Sequence, residues 1–231
     1  MQRCRMPAHA AERPLTRVAT VTAGEPAVRA LQTLTETRSD GRRYWSIALY
    51  TDPDRNAIFV QRADEAIYLG PAQYFDEHEQ RPRHTYLDHV RLLAALKAAR
   101  ADAVWVGWGF VAEDPDFAAL CRKNGIVFIG PPTEAMRSLA DKIQAKRIAE
   151  RAGVPVVPWS GGSVDTAEEA EVHAERIGYP LLIKATSGGG GRGIREVREK
   201  SSVARLFAEA RQEGKHAFGD PTVFMERKAS G

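Results

Sequence analysis

The chain has 231 residues, of which 43% are hydrophobic and 27% charged, so it can bury the core of one large or two small domains. Its 33 basic and 30 acidic residues give a net charge of +3, and both signs are interspersed, which argues against a nucleic-acid-binding surface. No run of 18 apolar residues occurs, so no membrane-spanning helix is predicted. The two cysteines, Cys4 and Cys121, form no zinc or disulfide pattern and indicate a reducing, cytoplasmic location.

The first part of the chain alternates short β-branched strands with amphipathic helices. This pattern predicts an α/β domain with a doubly wound parallel sheet, preceded by a flexible tail at residues 1–16. Ligands of such sheets lie beyond the carboxyl ends of the strands. The polar, proline-containing segment at residues 73–84 predicts an exposed loop. Strands are predicted at residues 17–23, 45–50, 66–69, 103–106 and 127–129, and helices at 25–37, 85–100 and 115–124.

A second, smaller lobe is predicted after Gly130-Pro131-Pro132. Thr166 and Glu169 form a capping box for a helix that ends at Gly178. A later helix is predicted to be capped by Ser201 or Ser202 and to run to about Glu213, with Gly214 after it. A further helix is predicted at residues 141–152, and strands at 181–185, 194–197 and 222–226, the last with an unpaired edge.

The most informative segment is YPLLIKATSGGGGRG at residues 179–193. A buried strand carries Lys184 near its end and runs into four consecutive glycines, whose backbone N–H groups can converge on an anion. The lysine supplies a mobile point charge for a phosphate. A flexible hairpin with an incidental lysine is the plain alternative. The four glycines are Gly188, Gly189, Gly190 and Gly191.

Two other nucleotide-binding patterns are disfavoured. No P-loop string is present, although a literal G-x-G-x-x-G begins at Gly188 and a variant ending in alanine begins at Gly107. The dinucleotide fingerprint requires glycines that open a helix inside a βαβ unit. After Gly193 the helical pattern resumes only beyond Ser201, and the second match leads to Pro115. A dinucleotide cofactor is therefore not expected.

Three segments together resemble one enzyme family. The stretch IGYPLLIKATSGGGGRGIREV resembles the glycine-rich loop of biotin carboxylases and the related carbamoyl-phosphate synthetases. Residues 128–158, with Asp141-Lys142 and an Ala-Gly-Val-Pro string, resemble the segment that precedes this loop in biotin carboxylases. WVGWGFVAEDPDFAALC is similar to a loop of the family's first lobe, and its Gly-Trp-Gly resembles the form in multidomain acetyl-CoA carboxylases. The resemblance extends from about Arg17 to the last residue.

The resemblance implies a biotin carboxylase N-terminal domain at residues 17–132 and the N-terminal part of an ATP-grasp domain at 133–231. Lys142 and Lys184 match the family lysines that contact ATP phosphates, and the four glycines match the loop that closes over the nucleotide. The hinge strand whose acid and backbone groups bind adenine is matched by Glu226, Arg227, Lys228 and Ala229.

The family's chemistry follows from the same resemblance. ATP phosphorylates bicarbonate, the carboxyphosphate product carboxylates biotin, and two Mg²⁺ (or Mn²⁺) ions neutralise charge during the transfer. The implied partners are ATP, bicarbonate, a biotin carrier domain or protein and a carboxyltransferase, with a homodimer possible and neither nucleic acid nor membrane involved.

The sequence departs from the family pattern in two ways. The usual Asn-Arg-Gly-Glu after the first strand is here Thr22-Ala23-Gly24-Glu25. The family's metal-binding carboxylates, bicarbonate-binding arginine and catalytic base are expected downstream of Gly231, so no catalytic or metal residue is assigned and the isolated chain is expected to be catalytically incomplete. The alternatives are another ATP-grasp ligase, such as a carbamoyl-phosphate synthetase relative, and a non-catalytic nucleotide-binding fragment.

Other polar groups favour structural roles. Asp114, with Glu113 and Asp116, resembles a paired-carboxylate site but suits a helix N-terminus, where acids are stabilised. Three histidines near one another in sequence are not spaced for one helix face and are predicted to be solvated: His78, His84 and His89.

Overall fold

The computed structural model describes residues 15–37, 44–77, 79–187 and 193–229. These residues divide after Met136 into a first and a second compact unit. The first unit contains strands β1 (Arg17–Thr20), β2 (Trp45–Tyr50), β3 (Glu65–Tyr68), β4 (Gln73–Asp76), β5 (Arg81–His84), β6 (Ala103–Trp105) and β7 (Val127–Phe128). Its helices are α1 (Gly24–Glu36), α2 (Ile58–Arg62), α3 (His89–Ala98), α4 (Pro115–Lys123) and the start of α5 (Thr133–Ala140).

The first unit is built on a five-stranded sheet in the order β3-β2-β1-β6-β7, and all four strand pairs are parallel. Alternate residues of β2 point to opposite faces. Ile47 and Leu49 pack in a core with Leu92 of α3 and Phe117 of α4, whereas Ala48 packs with α1 and α2. Apolar helices thus cover both faces, which confirms the predicted doubly wound parallel sheet.

The sequence predicted an exposed loop for the polar segment before α3. The structure shows instead an antiparallel hairpin of β4 and β5. Side chains of α3 and its cap hold the hairpin, since the Tyr74 hydroxyl donates to Asp88 at 2.7 Å and Arg91 lies 4.6 Å from the centre of the Tyr74 ring. The predicted helix at 85–100 is also too long. Helix α3 begins at His89 because the Asp88 carboxylate accepts the Arg91 N–H at 3.0 Å and caps it.

The second unit packs two helices against a small antiparallel sheet. Apolar residues of the sheet, such as Ile183 and Met225, form one core with Ala174 of α7 and Phe207 of α8. The strand order is β10-β8-β9. Its elements after α5 are α6 (Lys142–Arg151), α7 (Ala167–Ile177), β8 (Leu181–Ala185), β9 (Ile194–Val197), α8 (Val203–Phe218) and β10 (Val223–Arg227).

The prediction that the last strand has an unpaired edge is wrong. The connecting segment at residues 158–164 lies along the outer edge of β10 and bonds to its backbone. Ser160 N–H donates to the Met225 carbonyl at 2.8 Å, Val164 N–H donates to the Val223 carbonyl at 2.9 Å, and the Arg227 N–H donates outward to Pro158 at 2.8 Å. The edge groups are therefore satisfied within the unit.

Helix α8 continues beyond its predicted end. Gly214 lies inside the helix, and the helix ends at Gly219, whose φ of 75° suits a C-terminal glycine. Ser202 precedes α8 without a side-chain capping bond, contrary to the prediction. The predicted Thr166 cap of α7 is confirmed, because Thr166 accepts the Glu169 N–H at 3.2 Å, but the Glu169 carboxylate accepts the Asp165 N–H at 2.9 Å and not that of Thr166.

Candidate functional site

A charged cluster occupies the face of the second sheet opposite its apolar core. Lys184 on β8 faces Phe224 in the antiparallel register, so Glu226, two residues on, is its diagonal neighbour on the same face. The Lys184 ammonium forms a salt bridge with the Glu226 carboxylate. A second ammonium, that of Lys146 on α6, lies 2.6 Å from the other oxygen of the same carboxylate. We call Lys146, Lys184 and Glu226 the charged triad.

The carboxylate at the centre of the charged triad is buried, with Glu226 only 8% exposed. Burial acts to raise the pKa of Glu226, but the hydrogen bonds and charges of Lys146 and Lys184 outweigh it and bring the pKa below its ordinary value. The carboxylate is therefore ionised at neutral pH. With two ammonium groups against one carboxylate, the triad carries a net positive charge.

The first lysine of α6, Lys142, contacts the backbone just beyond the end of β8. Asp141 caps α6 by accepting the Gln144 N–H at 2.7 Å, which places Lys142 at the first helical position. The Lys142 ammonium donates to the carbonyl of Thr186, just beyond the end of β8, at 2.8 Å. Lys142 and Lys146 are one helical turn apart and project from one face of α6.

The end of β8 is fastened to the start of β10 by a carboxylate. Asp220 accepts the Ser187 hydroxyl at 2.6 Å, the Thr186 hydroxyl at 3.2 Å and the Thr222 N–H at 2.9 Å. These bonds, that of Ser187 foremost, hold the pKa of Asp220 well below its usual range. Asp220 thus fixes the point where the chain enters the glycine run, whose four members Gly188 to Gly191 lie outside the described residues.

The remaining residues of the predicted adenine hinge use their side chains elsewhere. Lys228 forms a 2.6 Å salt bridge with Glu196 of β9. The Arg227 guanidinium donates to the Ile177 carbonyl at the end of α7 at 3.3 Å. Ala229 follows directly after them. The structure therefore brings Lys184 and Glu226 together on one face, places the Lys142 ammonium at the Thr186 carbonyl just beyond β8, and leaves Arg227 and Lys228 in other contacts.

Sequence reasoning missed Lys146 and Asp220, and the buried Trp159 packs beside the first of them. The Trp159 indole donates to Glu150 at 2.6 Å, packs edge-on against Phe224 and places its ring 5.5 Å from the Lys146 ammonium. The spacing of Lys142 and Lys146 was a readable signal, because residues four apart share a helix face. The partnership of Asp220 with Ser187 had no local signal, since 33 positions separate them.

The arrangement suits an anionic ligand. Ammonium groups from α6 and β8 converge where the backbone turns toward the glycine run, and a cluster with surplus positive charge attracts phosphate oxygens. Within residues 15–37, 44–77, 79–187 and 193–229, no group of three or more His, Cys, Asp or Glu side chains is placed to hold a metal ion.

The first unit's polar candidates have structural partners. Asp114 accepts the N–H groups of Asp116 and Phe117 at 2.9 and 3.0 Å, which confirms the predicted helix cap. The prediction of solvated histidines is wrong for two of the three: His89 lies 2.8 Å from Asp114, and the His84 ring packs 4.9 Å from that of Phe110. His78 lies outside the described residues.

Comparison with known families decides the identity of both halves. The model for the biotin carboxylase N-terminal domain matches residues 14–136, and that for the ATP-binding domain of the carbamoyl-phosphate synthase L chain matches residues 141–231. This chain belongs to the biotin carboxylase family. The family expected from the sequence is confirmed, and among the helices that the structure describes none is long and apolar enough to cross a bilayer.

Individual relatives agree with this assignment. The biotin carboxylase of Nostoc sp. is 42% identical over 182 residues, covering 79% of this chain and 39% of the relative. Biotin carboxylase 1 of Bacillus subtilis is 37% identical over 204 residues, covering 88% of this chain and 42% of the relative. The chain thus spans about two fifths of the length of these biotin carboxylases.

Solved structures show the same fold. A Campylobacter jejuni biotin carboxylase in complex with β,γ-ATP matches with a TM-score of 0.81 and 36% identity, over 94% of this chain and 46% of that one. The biotin carboxylase domain dimer of Hydrogenobacter thermophilus 2-oxoglutarate carboxylase, with MgADP, ADP and bicarbonate, matches with a TM-score of 0.78 and 35% identity, over 95% of this chain and 45% of that one.

Proposed function

We propose that this chain supplies the nucleotide-phosphate-binding part of a biotin carboxylase, the enzyme that uses ATP and bicarbonate to carboxylate biotin. The observation that carries the proposal is the placement of two lysines at the end of β8, where Lys184 pairs with Glu226 and Lys142 donates to the Thr186 carbonyl. Two positive charges at the mouth of a glycine-rich segment match what a polyphosphate requires. Relatives crystallised with ATP-type ligands, ADP and bicarbonate support the same ligands for this chain.

The proposed roles follow from the positions of the residues. Lys184 and Lys142 would bind phosphate oxygens, and the run Gly188 to Gly191 would close over them with its backbone N–H groups. The segment from Glu226 to Ala229 would hold the adenine through backbone groups other than the Arg227 and Lys228 N–H, which already donate to the Pro158 and Pro180 carbonyls. Mg²⁺, when bound with the nucleotide, would neutralise charge on the phosphates. The lysines would orient the nucleotide and lower its repulsion for bicarbonate.

The wider context belongs to the same proposal. Carboxylated biotin would be carried on a carrier domain or protein to a carboxyltransferase, and a dimer would match the dimeric biotin carboxylase domain among the structural relatives. The low cysteine content, together with the free and buried Cys121 thiol, supports a cytoplasmic location. The further catalytic groups of a biotin carboxylase are proposed to lie outside the residues of this chain.

The direct test is calorimetric titration of the 231-residue chain with Mg-ADP, beside a Lys184→Ala variant. A charged hydrogen bond contributes about 1.5–3 kcal/mol, so the variant should bind about 10- to 100-fold more weakly than wild type. Lys200→Ala is the matched control, because Lys200 in the same unit forms an exposed pair with Glu175. Equal binding by the two variants, or no binding by folded wild-type chain, would contradict the proposal.

A further inference from the structure

The charged triad contains one ammonium group more than its carboxylate can neutralise. Lys146 and Lys184 each contact a different oxygen of Glu226, and all three side chains are largely buried, at 17%, 25% and 11% exposure. A buried carboxylate that loses its last counter-ion becomes costly, whereas one that keeps a single well-placed partner does not. Either lysine is therefore sufficient to satisfy Glu226, and the other is available for a different anion.

The structure distinguishes which lysine stays. Lys146 has a second attraction, because its ammonium lies 5.5 Å from the centre of the Trp159 ring. Trp159 is itself fixed by its bond to Glu150 and by its edge contact with Phe224. Lys146 is also the less exposed of the two lysines. Lys184, by contrast, lies next to the end of β8, three residues before Ser187, whose hydroxyl donates to Asp220.

We propose that Lys146 is a positioning residue of the nucleotide site: it retains the negative charge of Glu226 so that Lys184 can leave that carboxylate for a phosphate oxygen. This inference rests on the proposed function, since it concerns how the same site accepts a nucleotide. Without Lys146, Lys184 would be the sole counter-ion of a buried carboxylate and would be held there. The anionic carboxylate would then compete with the phosphate for one ammonium group.

The proposed positioning role predicts that substitutions of Lys146 and Glu226 have non-additive effects on the affinity for Mg-ADP. Lys146→Met removes the charge while keeping the length of the side chain, and it should weaken Mg-ADP binding about tenfold, the effect of about 1.4 kcal/mol. Lys146→Arg keeps the charge and should retain most of the affinity. In a Glu226→Gln background no carboxylate competes for Lys184, so adding Lys146→Met should change the affinity less than twofold. Such non-additivity is the signature of a shared partner.

The decisive experiment is this double-mutant cycle, measured by calorimetric titration with Mg-ADP for wild type, K146M, E226Q and K146M/E226Q. Circular dichroism of each variant checks its fold, and if K146M does not fold, Lys146→Gln takes its place in the cycle. A tenfold loss in K146M that persists in the E226Q background would overturn the inference, because Lys146 would then act on the nucleotide directly. Binding by K146M equal to that of wild type would overturn it too.

The outcomes separate this inference from the proposed function. If wild type binds Mg-ADP and Lys184→Ala weakens it while K146M does not, the phosphate role of Lys184 holds and the positioning role of Lys146 is wrong. If Lys184→Ala has no effect on binding, the proposed function itself fails. A merely structural role for Lys146 would lower the affinity of K146M and K146M/E226Q alike, and Glu226→Gln would not relieve the loss.

Discussion

The two sheets of this chain differ in what they place on their second face. In the first unit, Ile47 and Ala48 point to opposite faces of β2, and both are fully buried among apolar helices. In the second unit, Met225 points into the apolar core while its neighbour Glu226 points to the face that carries Lys184. Both sheets are well packed, so burial alone does not mark the site.

The difference lies in where charge is tolerated. A strand covered by apolar side chains on both faces offers an ionised group no partner, and the ion pair of Arg17 with Glu65 in the first sheet lies at the strand ends. The second sheet buries an ionised carboxylate because two lysines from separate elements meet it. A buried charge with surplus counter-charge is thus the structural mark of the candidate site.

The largest loss of stability is expected when a glutamate is placed among the apolar side chains that cover the first sheet. Ala48 packs with Ala27, Leu31 and Phe59, so Ala48→Glu buries a carboxylate among apolar groups. We expect the first unit to lose about 4–5 kcal/mol or more and to fail to fold. Limited proteolysis and circular dichroism measure this loss. Ala48→Ser, a small neutral change, serves as the control, and a folded Ala48→Glu chain would contradict the contrast.

The converse change removes the glutamate that the second sheet accepts. Glu226→Ala leaves Lys146 and Lys184 without their carboxylate, and we expect a loss of about 3 kcal/mol in the free energy of unfolding. Glu175→Ala, which breaks the exposed pair of α7 with Lys200, should cost no more than about 0.5 kcal/mol. Urea denaturation followed by circular dichroism gives both values, and similar losses in the two variants would show that Glu226 is not structurally special.

The first unit's fold was predictable because its signal is local. Alternating β-branched strands and amphipathic helices specify a doubly wound parallel sheet without knowledge of any distant contact. The hairpin of β4 and β5 was missed because its strands are polar and one contains Pro82, and because Tyr74 is held by Asp88 of a later segment. Local polarity indicated a loop, and tertiary contacts made it a hairpin.

The site was predictable only where a motif carries it. Lys142 and Lys184 follow from family segments, whereas Lys146 meets Glu226 across 80 positions of sequence, and nothing local signals that pair. The burial of Glu226 was equally invisible, because a strand ending in Met-Glu-Arg is typical of an exposed terminus as well. Chemical identity was readable from the sequence, and charge pairing needed the structure.

The close packing around Gly214 inside helix α8 was likewise not readable from the sequence. An added Cβ at Gly214 would lie 2.8 Å from the Asp220 carbonyl oxygen, so the glycine permits close approach of the chain before β10. Alanine favours a helix interior by about 1 kcal/mol, but the overpacking costs about 1–3 kcal/mol. We therefore expect Gly214→Ala to destabilise the second unit by about 1 kcal/mol.

Thermal unfolding monitors this effect. Gly109→Ala is the control, because a Cβ built there meets nothing within 4 Å. A stabilised Gly214→Ala variant would mean that Asp220 and Pro221 shift without cost, and the glycine would then have no packing role.

The smallest expected effect concerns acid. The bonds of Ser187, Thr222 and Thr186 depress the pKa of Asp220 in the folded chain. A depressed folded pKa contributes stability above the unfolded value of about 3.9, and this stability is lost as pH falls through the folded pKa. Asp220→Asn removes the titrating group while keeping a hydrogen-bond acceptor. The wild-type chain should therefore exceed the variant in urea midpoint by a constant margin from about pH 7 to pH 5, and the margin should shrink as the pH falls below about 4.

The control is Asp165→Asn in the same unit, where the carboxylate is 73% exposed and 3.9 Å from Arg211. This variant should show a smaller margin at every pH. A margin for Asp220→Asn that is unchanged in acid would mean that the hydrogen bonds of Asp220 do not depend on its ionisation, and a buried or fastened carboxylate would then not be what distinguishes the second sheet at the end of β8.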